Sequence, residues 1–129
     1  MVLSRAAAAL VRSGVDSPPE TIVRLIIVDG GLPCPQAGLA VYDESGGWIG
    51  RPDLCYILLK LAIQYEGDVH RTTRKRWRAD ISRDEVLHDH EWDVIRVTGD
   101  DLSRPAALCR RIAVRLERQS RRLGLPLPR

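Results

Sequence analysis

The spacing of apolar positions predicts two helices in the first part of the chain. Residues 4–12 are rich in alanine, the residue that most favours helix, and predict a short helix. A second helix is expected to follow Ser17, a candidate N-cap, because Glu20 three residues later completes a capping box. We expect it to run to about Val28, before the two glycines at 30–31. Its apolar face is predicted to contain Ile22, Leu25, Ile26 and Val28.

Three strands are predicted in the middle of the chain, over residues 39–42, 48–56 and 60–66. A cluster of Asp, Glu, Ser and Gly at 43–47 predicts the turn between the first two strands. In the third strand, side chains alternate between an apolar face and a mixed face, which is typical of strands. These strands are expected to form antiparallel hairpins.

A long helix, a fourth strand and a final helix are predicted in the remainder. The long helix is expected from Thr72 or Thr73 to about His90, and the strand over residues 91–98. The inward stripe of the long helix is predicted to contain Trp77, Ile81, Asp84 and Leu87 or His88. The final helix is expected to begin at residues 98–101 and to carry Leu102, Leu108, Ile112, Val114 and Leu116.

This order of elements predicts an α/β fold with a mixed four-stranded sheet flanked by helices. The third strand, the long helix and the fourth strand form a crossover unit, so the two strands are expected to be parallel neighbours. With 129 residues, the chain is expected to form one domain. We expect its core over about residues 17–120 and a frayed tail at 123–129.

Composition narrows the possible classes of function. The net charge of +3 is a mild basic excess, so its distribution matters more than its size. Three cysteines at wide spacings, without a C-x-x-C pair, predict reduced thiols in a cytoplasmic protein. No apolar run approaches the length of a membrane span. No phosphate-binding glycine loop and no nucleophile elbow occurs in the sequence.

Acidic side chains are predicted to converge where the second and third strands meet. Because a strand points alternate side chains to one face, Gln64 and Glu66 point the same way. If the turn falls near residues 58–59, Asp53 lies opposite Gln64, and Asp53 and Glu66 come within reach of one ion. Such oxygen ligands suit Mg²⁺ or Mn²⁺. Glu20 would add a carboxylate if its helix packs on this sheet face; edge-strand charges and a helix cap are the structural alternatives.

A basic segment follows these acids and predicts contacts with a phosphate backbone. Arg71, Arg74 and Arg78 share a helix face, with Lys75 beside them, and guanidinium groups suit phosphate oxygens. His70 would orient water, act as a general acid or base, or contact a phosphate. A solvated loop histidine and a solvated basic face are the alternatives. The final helix shares the basic excess.

Several blocks of this sequence resemble one known family. The segments SPPETIVRLIIVDGGLPCPQ, GRPDLCY and AIQYEGDVHRTTRKRWRADISRDEVLHDHEWDVIRVTGDDL together resemble the DUF559 family of the PD-(D/E)xK superfamily. That family is related to the very-short-patch repair endonucleases. The resemblance covers about residues 17–104 and implies a restriction-endonuclease-like fold with an α-β-β-β-α-β core. It also implies a Mg²⁺-dependent DNA nuclease or a degenerate descendant, with a repair or toxin–antitoxin partner.

The resemblance also implies roles for individual residues. Glu20 matches the family's first-helix Glu, and Asp53 matches its strand Asp. The family's E-x-D-G-x-x-H signature has Gln64 in place of Glu and Glu66 in place of Asp, while His70 is in register. The expected function is therefore a Mg²⁺-dependent DNA endonuclease weakened or lost through Gln64. The alternative is a catalytically degenerate nucleic-acid-binding or antitoxin-associated module.

Overall fold

A computed structural model describes residues 18–67 and 74–128 of the chain. The elements in chain order are α1 (Pro19–Asp29), β1 (Gln36–Ala37), β2 (Val41–Tyr42), β3 (Trp48–Gly50), β4 (Leu54–Tyr56), β5 (Leu61–Tyr65), α2 (Arg74–Asp89), β6 (Asp93–Val97), α3 (Gly99–Leu102) and α4 (Pro105–Leu123). The helix predicted over residues 4–12, Ser17, His70 and Arg71 all lie outside the described residues. Among the helices that are described, none has the length and apolar character needed to cross a membrane.

The main sheet has four strands in the order β1-β4-β5-β6. β1 pairs with β4 and β4 with β5 in antiparallel fashion, and β5 pairs with β6 in parallel. The α/β fold with a mixed four-stranded sheet flanked by helices is therefore confirmed, including the parallel crossover through α2. β2 and β3 form a separate two-stranded ribbon.

The separate ribbon corrects two of the predicted strands. Residues 39–42 do not join the main sheet, because β2 pairs only with β3, and the edge strand is instead β1. The strand predicted over 48–56 is broken between β3 and β4, where Pro52 has no N–H to contribute to a ladder. After the break, the Asp53 carbonyl accepts the N–H of Gly38 at 3.2 Å, as β4 turns to pair with β1.

Helix α1 forms one layer of the fold. It begins at Pro19, which suits the first helical position because an N–H there would have no partner. The buried residues are Ile22, Val23, Ile26 and Ile27. The predicted apolar face was wrong at Val28, which is 47% exposed, and Leu25 is only half-buried. The helix ends at two glycines, of which Gly31 has φ +82°.

The sheet has a hydrophobic core on each face. On one face, α1 and α4 pack against alternate residues of β4, β5 and β6, including Leu54, Leu61 and Ile95. On the other face, Leu87 of α2 packs with Trp92 and with the ribbon. That second core is smaller, and this difference leaves room for the cleft described below.

The inward stripe of α2 differs from the prediction. Trp77 is 57% exposed and Ile81 is 39% exposed, and His88 is also exposed, whereas Leu87 is 2% exposed. The side chain of Asp84 is 21% exposed. The N-terminal half of the helix therefore turns a polar side toward the sheet, and its apolar side chains face solvent.

The C-terminal region contains two helices where one was predicted. α3 is a single turn in which Asp101 accepts the N–H of Thr98 at 2.8 Å. α4 then begins at Pro105, which cannot continue a helix because it lacks an N–H. The side chains buried along α4 are Leu108, Cys109, Ile112, Leu116 and Gln119. Val114, predicted on the apolar face, is 60% exposed, and Leu102 is half-buried.

Candidate active site

A row of three polar side chains crosses the sheet on the α2 face. The antiparallel register pairs Leu54 with Ile63, so the next position along places Asp53 beside Gln64. The parallel register pairs Gln64 with Arg96. The row is therefore Asp53, Gln64 and Arg96 on β4, β5 and β6. The position of the turn predicted its first two members.

Asp53 and Gln64 hold each other in place. The backbone N–H of Asp53 donates to Gln64 Oε1 at 3.1 Å. The N–H of Tyr65 donates to Asp53 Oδ2 at 2.8 Å. These two bonds extend the β4–β5 pairing by one position, and they leave Asp53 Oδ1 without a role in that pairing. Asp53 is exposed, so this oxygen is accessible to a ligand.

A cleft of about 450 Å³ opens above this row, between the sheet and α2. The sheet side contributes Asp53, Gln64, Tyr65, Glu66, Gly67 and Arg96, and the helix side contributes Arg76, Asp80, Arg83 and Asp84. The cleft exists because the side chains that α2 presents here are polar and do not pack down onto the strands. Leu87, almost one turn beyond Asp84, is buried in the core on this face of the sheet.

Arg96 connects the two sides of the cleft. Its Nε donates to Asp84 Oδ2 and its Nη2 donates to Asp84 Oδ1, both at 3.0 Å. Its Nη1 lies 3.8 Å from Glu66 Oε1. Burial, the largest single influence, lowers the pKa of Arg96, but the hydrogen bonds and charge of Asp84, together with nearby acids, raise it overall. The guanidinium is therefore charged and fixed in orientation.

Carboxylates and guanidinium groups line both walls of the cleft. Arg96 pairs with Asp84, and on the helix Arg83 Nη1 lies 3.7 Å from Asp80 Oδ1. Asp53 and Glu66 are the two carboxylates on the sheet side. Asp80 and Arg83 pair within α2, whereas Asp84 reaches across to β6.

Four predicted site residues do not line this cleft: Glu20, Arg74, Lys75 and Arg78. Glu20 is in the first turn of α1, in the layer on the opposite face of the sheet, and it is not among the residues lining the cleft. Arg74, Lys75 and Arg78 are exposed at the start of α2, on the helix that forms the cleft wall. His70 lies just outside the described part of the chain.

The donor set of the cleft is small for a metal site. Within residues 18–67 and 74–128, no three His, Cys, Asp or Glu side chains are grouped in a way that would hold a metal ion. Mg²⁺ keeps several waters and uses one or two carboxylates, so Asp53 and Glu66, with the Gln64 amide oxygen, fit its donor chemistry. Gln64 Oε1 already accepts one hydrogen bond, from Asp53, and this makes it a weak ligand.

Arg96 and Asp84 were not identified as site residues from the sequence. Arg96 carried a detectable signal, because it is a charged residue on the face of β6 that also holds Trp92 and Val94. The acids at 80 and 84 share a helix face at a spacing of four residues. The contact between Asp84 and Arg96 depends on how α2 packs on the sheet, and residue spacing does not specify this packing.

Comparisons with known proteins give relatives without an assigned function. Uncharacterized protein MT2308 of Mycobacterium tuberculosis (strain CDC 1551 / Oshkosh) and uncharacterized protein Rv2248 of Mycobacterium tuberculosis (strain ATCC 25618 / H37Rv) are each 30% identical to the chain over 104 residues. This alignment covers 80% of the chain but only 38% of each relative. No family model matches the chain. No solved structure gives a significant match.

Proposed function

We propose that this chain is a Mg²⁺-dependent DNA endonuclease of the restriction-endonuclease-like class, related to the DUF559 family. The observation that carries the proposal is the row of Asp53 and Gln64, locked together by two hydrogen bonds, with Glu66 lining the same cleft. Two carboxylates at the end of a strand pair, facing a cleft walled by an arginine-bearing helix, suit hydrolysis of a phosphodiester. DNA repair and defence are the processes that such an activity would serve.

In this proposal, Asp53 and Glu66 hold the metal ion and Gln64 contributes its amide oxygen. The ion would polarise a phosphate oxygen and lower the pKa of a bound water. His70 would assist that water or the phosphate. Glu20 has no part in this arrangement, because α1 lies on the opposite face of the sheet and Glu20 does not line the cleft. The exposed Arg74, Lys75 and Arg78, with Arg71 before them, would hold the DNA backbone.

The second candidate is a nucleic-acid-binding or antitoxin-associated module that has lost catalysis on the same fold. Two observations favour it. Gln64 brings no charge to the cleft and already accepts a hydrogen bond from Asp53. Glu66 also lies near the Arg96 guanidinium, at 3.8 Å, which competes with a cation for its carboxylate. Both candidates place DNA against the same helix, so cleavage distinguishes them.

A plasmid-nicking assay tests the proposal. Supercoiled and mismatch-containing DNA is incubated with the protein and either Mg²⁺ or Mn²⁺. We expect metal-dependent nicking by the wild type and a loss of at least about 100-fold in rate for Asp53→Ala, because one of two carboxylate ligands is removed. Gln64→Glu should nick faster, because a carboxylate can accept the same Asp53 N–H and adds a negative charge.

Asp89→Ala is the matched control for this assay. Asp89 is an exposed carboxylate at the end of α2, outside the cleft, so its removal should leave the nicking rate unchanged. Absence of nicking by both the wild type and Gln64→Glu, together with salt-sensitive DNA binding, would instead favour the binding module. Absence of both nicking and DNA binding would remove both candidates.

A further inference from the structure

Arg96 stands in the middle of the cleft, and the proposed function gives it no role. It is the register partner of Gln64 on the neighbouring parallel strand, so its side chain rises from the sheet beside the proposed metal ligands. Its side chain is 27% exposed and lines the cleft. An arginine in such a place either connects the walls of the cleft or binds what enters it.

The hydrogen bonds of Arg96 leave one end of its guanidinium directed at the cleft. Nε and Nη2 are both used by Asp84. Nη1 is 3.8 Å from Glu66 Oε1, which is too long for a hydrogen bond. Within residues 18–67 and 74–128, Nη1 donates no hydrogen bond, and Glu66 is its ion-pair partner. The Nη1 donors are thus oriented by Asp84 before any ligand arrives.

A fixed and permanently charged guanidinium is well suited to a phosphate. Its N–H groups match the geometry of phosphate oxygens, and a donor held in place needs no reorganisation when charge develops on the reacting group. Charge-assisted hydrogen bonds of this kind are about twice as strong as those between neutral groups. An anion at Nη1 would also lie beside Asp53 and Glu66, where a bound cation would offset their charge.

We propose that Arg96 is a phosphate-binding residue whose Nη1 group donates to an oxygen of the reacting phosphodiester, and that Asp84 is the residue that positions it. The inference rests on the proposed function, because it assigns the phosphate to the same cleft. A purely structural role is the competing account: Arg96 would then only tie β6 to α2 through Asp84. The two accounts differ in what happens when the ion pair is kept but its guanidinium is moved.

The charge-swapped variant Asp84→Arg/Arg96→Asp makes that distinction. It retains an ion pair between β6 and α2 but removes the guanidinium from the sheet side. We expect its thermal midpoint to stay close to that of the wild type while kcat for nicking falls about 100-fold, the loss typical when a donor to a reacting oxygen is removed. Recovery of wild-type kcat in the swapped protein would overturn the inference.

Arg96→Lys keeps the inference testable if the swapped protein does not fold. Lysine retains the charge but lacks the planar fork that binds both Asp84 oxygens while another nitrogen faces a phosphate, so kcat should fall by at least about tenfold with little change in KM. A second variant, Arg96→Gln, removes the charge, and Arg121→Gln is its control because it removes the same charge at a side chain that is 81% exposed on α4. It should behave as the wild type, and wild-type kcat in Arg96→Lys would contradict the inference.

DNA binding in EDTA, measured by fluorescence anisotropy, separates failure of the inference from failure of the proposed function. The slope of log affinity against log salt should become shallower by about 0.9 in Arg96→Gln, the contribution of one phosphate contact. Arg121→Gln should keep the wild-type slope. If the wild type binds DNA without cutting it, the nuclease proposal fails, but a reduced slope still supports a phosphate contact by Arg96. An unchanged slope would overturn the phosphate role, and absence of DNA binding by the wild type would overturn both.

Discussion

Asp93 shows how a single residue joins the sheet to its covering helix. Its side chain is 9% exposed, on the sheet face that packs against α4. Arg115 donates to both of its oxygens at 2.6 Å, and Arg118 Nη2 donates to Oδ2 at 3.2 Å. Burial, the largest single influence, raises the pKa of Asp93, but the hydrogen bonds and charges of the two arginines together hold it below the usual value.

Asp93→Asn is expected to lower the free energy of unfolding by about 3 kcal/mol, because it leaves the partly buried Arg115 without its counter-charge. Urea denaturation at neutral pH measures this loss. Asp89→Asn, at an exposed carboxylate, should change the same quantity by no more than about 0.5 kcal/mol. Equal effects of the two substitutions would show that the Asp93 pair contributes no more than a surface charge.

The ion pair of Asp93 with Arg115 predicts that its contribution to the free energy of unfolding is lost at low pH. The folded pKa of Asp93 is depressed, so its contribution is fully present above the unfolded pKa of about 3.9 and is lost as the pH falls through the lower folded value. The difference in stability between wild type and Asp93→Asn should therefore shrink below about pH 4. A difference that stays constant into that range would contradict the assignment.

At the scale of elements, α2 contacts the hydrophobic core near its C-terminal end, through Leu87. Leu87 is 2% exposed and packs with Trp92 and the ribbon, whereas Ile81 is 39% exposed. Helical periodicity located the helix and placed Asp84 and Leu87 on its inward side, but it was wrong at Trp77 and Ile81, which are exposed. At this end of the cleft the inward side of the helix is polar, since Asp84 accepts hydrogen bonds from Arg96 of β6.

A pair of substitutions on α2 tests this orientation. Leu87→Ala should reduce the free energy of unfolding by about 3 kcal/mol, because it leaves a cavity in the smaller core. Ile81→Ala should change it by no more than about 0.5 kcal/mol, because its side chain is partly in solvent and alanine favours a helix. Urea denaturation compares both with the wild type, and a larger loss for Ile81→Ala than for Leu87→Ala would contradict the packing.

The strands show which parts of the fold local patterns could predict. Alternation located β5 and β6, and the turn near residues 58–59 placed Asp53 opposite Gln64 in the register. The division of the second predicted strand into β3 and β4 was missed, although Pro52 marks the break. The choice of β1 as the edge strand depends on long-range pairing by only two residues, Gln36 and Ala37, and periodicity cannot identify so short a strand.

Across the whole molecule, the positions of arginine and lysine in the sequence do not show which of these side chains form ion pairs in the fold. Many arginines of α4 are paired within the protein: Arg111 with Asp101, Arg115 and Arg118 with Asp93, and Arg121 with Glu117. The exposed cations at the start of α2 instead lie on the same helix as the wall of the cleft. The exposed Arg74, Lys75 and Arg78 therefore share a helix with the cleft wall but do not line the cleft.

A Mn²⁺ titration of the DNA-free protein by calorimetry tests the central claim most directly. The wild type should bind Mn²⁺ weakly, Asp53→Ala should lose measurable binding, and Gln64→Glu should bind roughly tenfold more tightly, since metal affinity rises with the number of charged ligands. Asp89→Ala should match the wild type. Absence of Mn²⁺ binding by both the wild type and Gln64→Glu would contradict the assignment of Asp53, Gln64 and Glu66 as a metal centre.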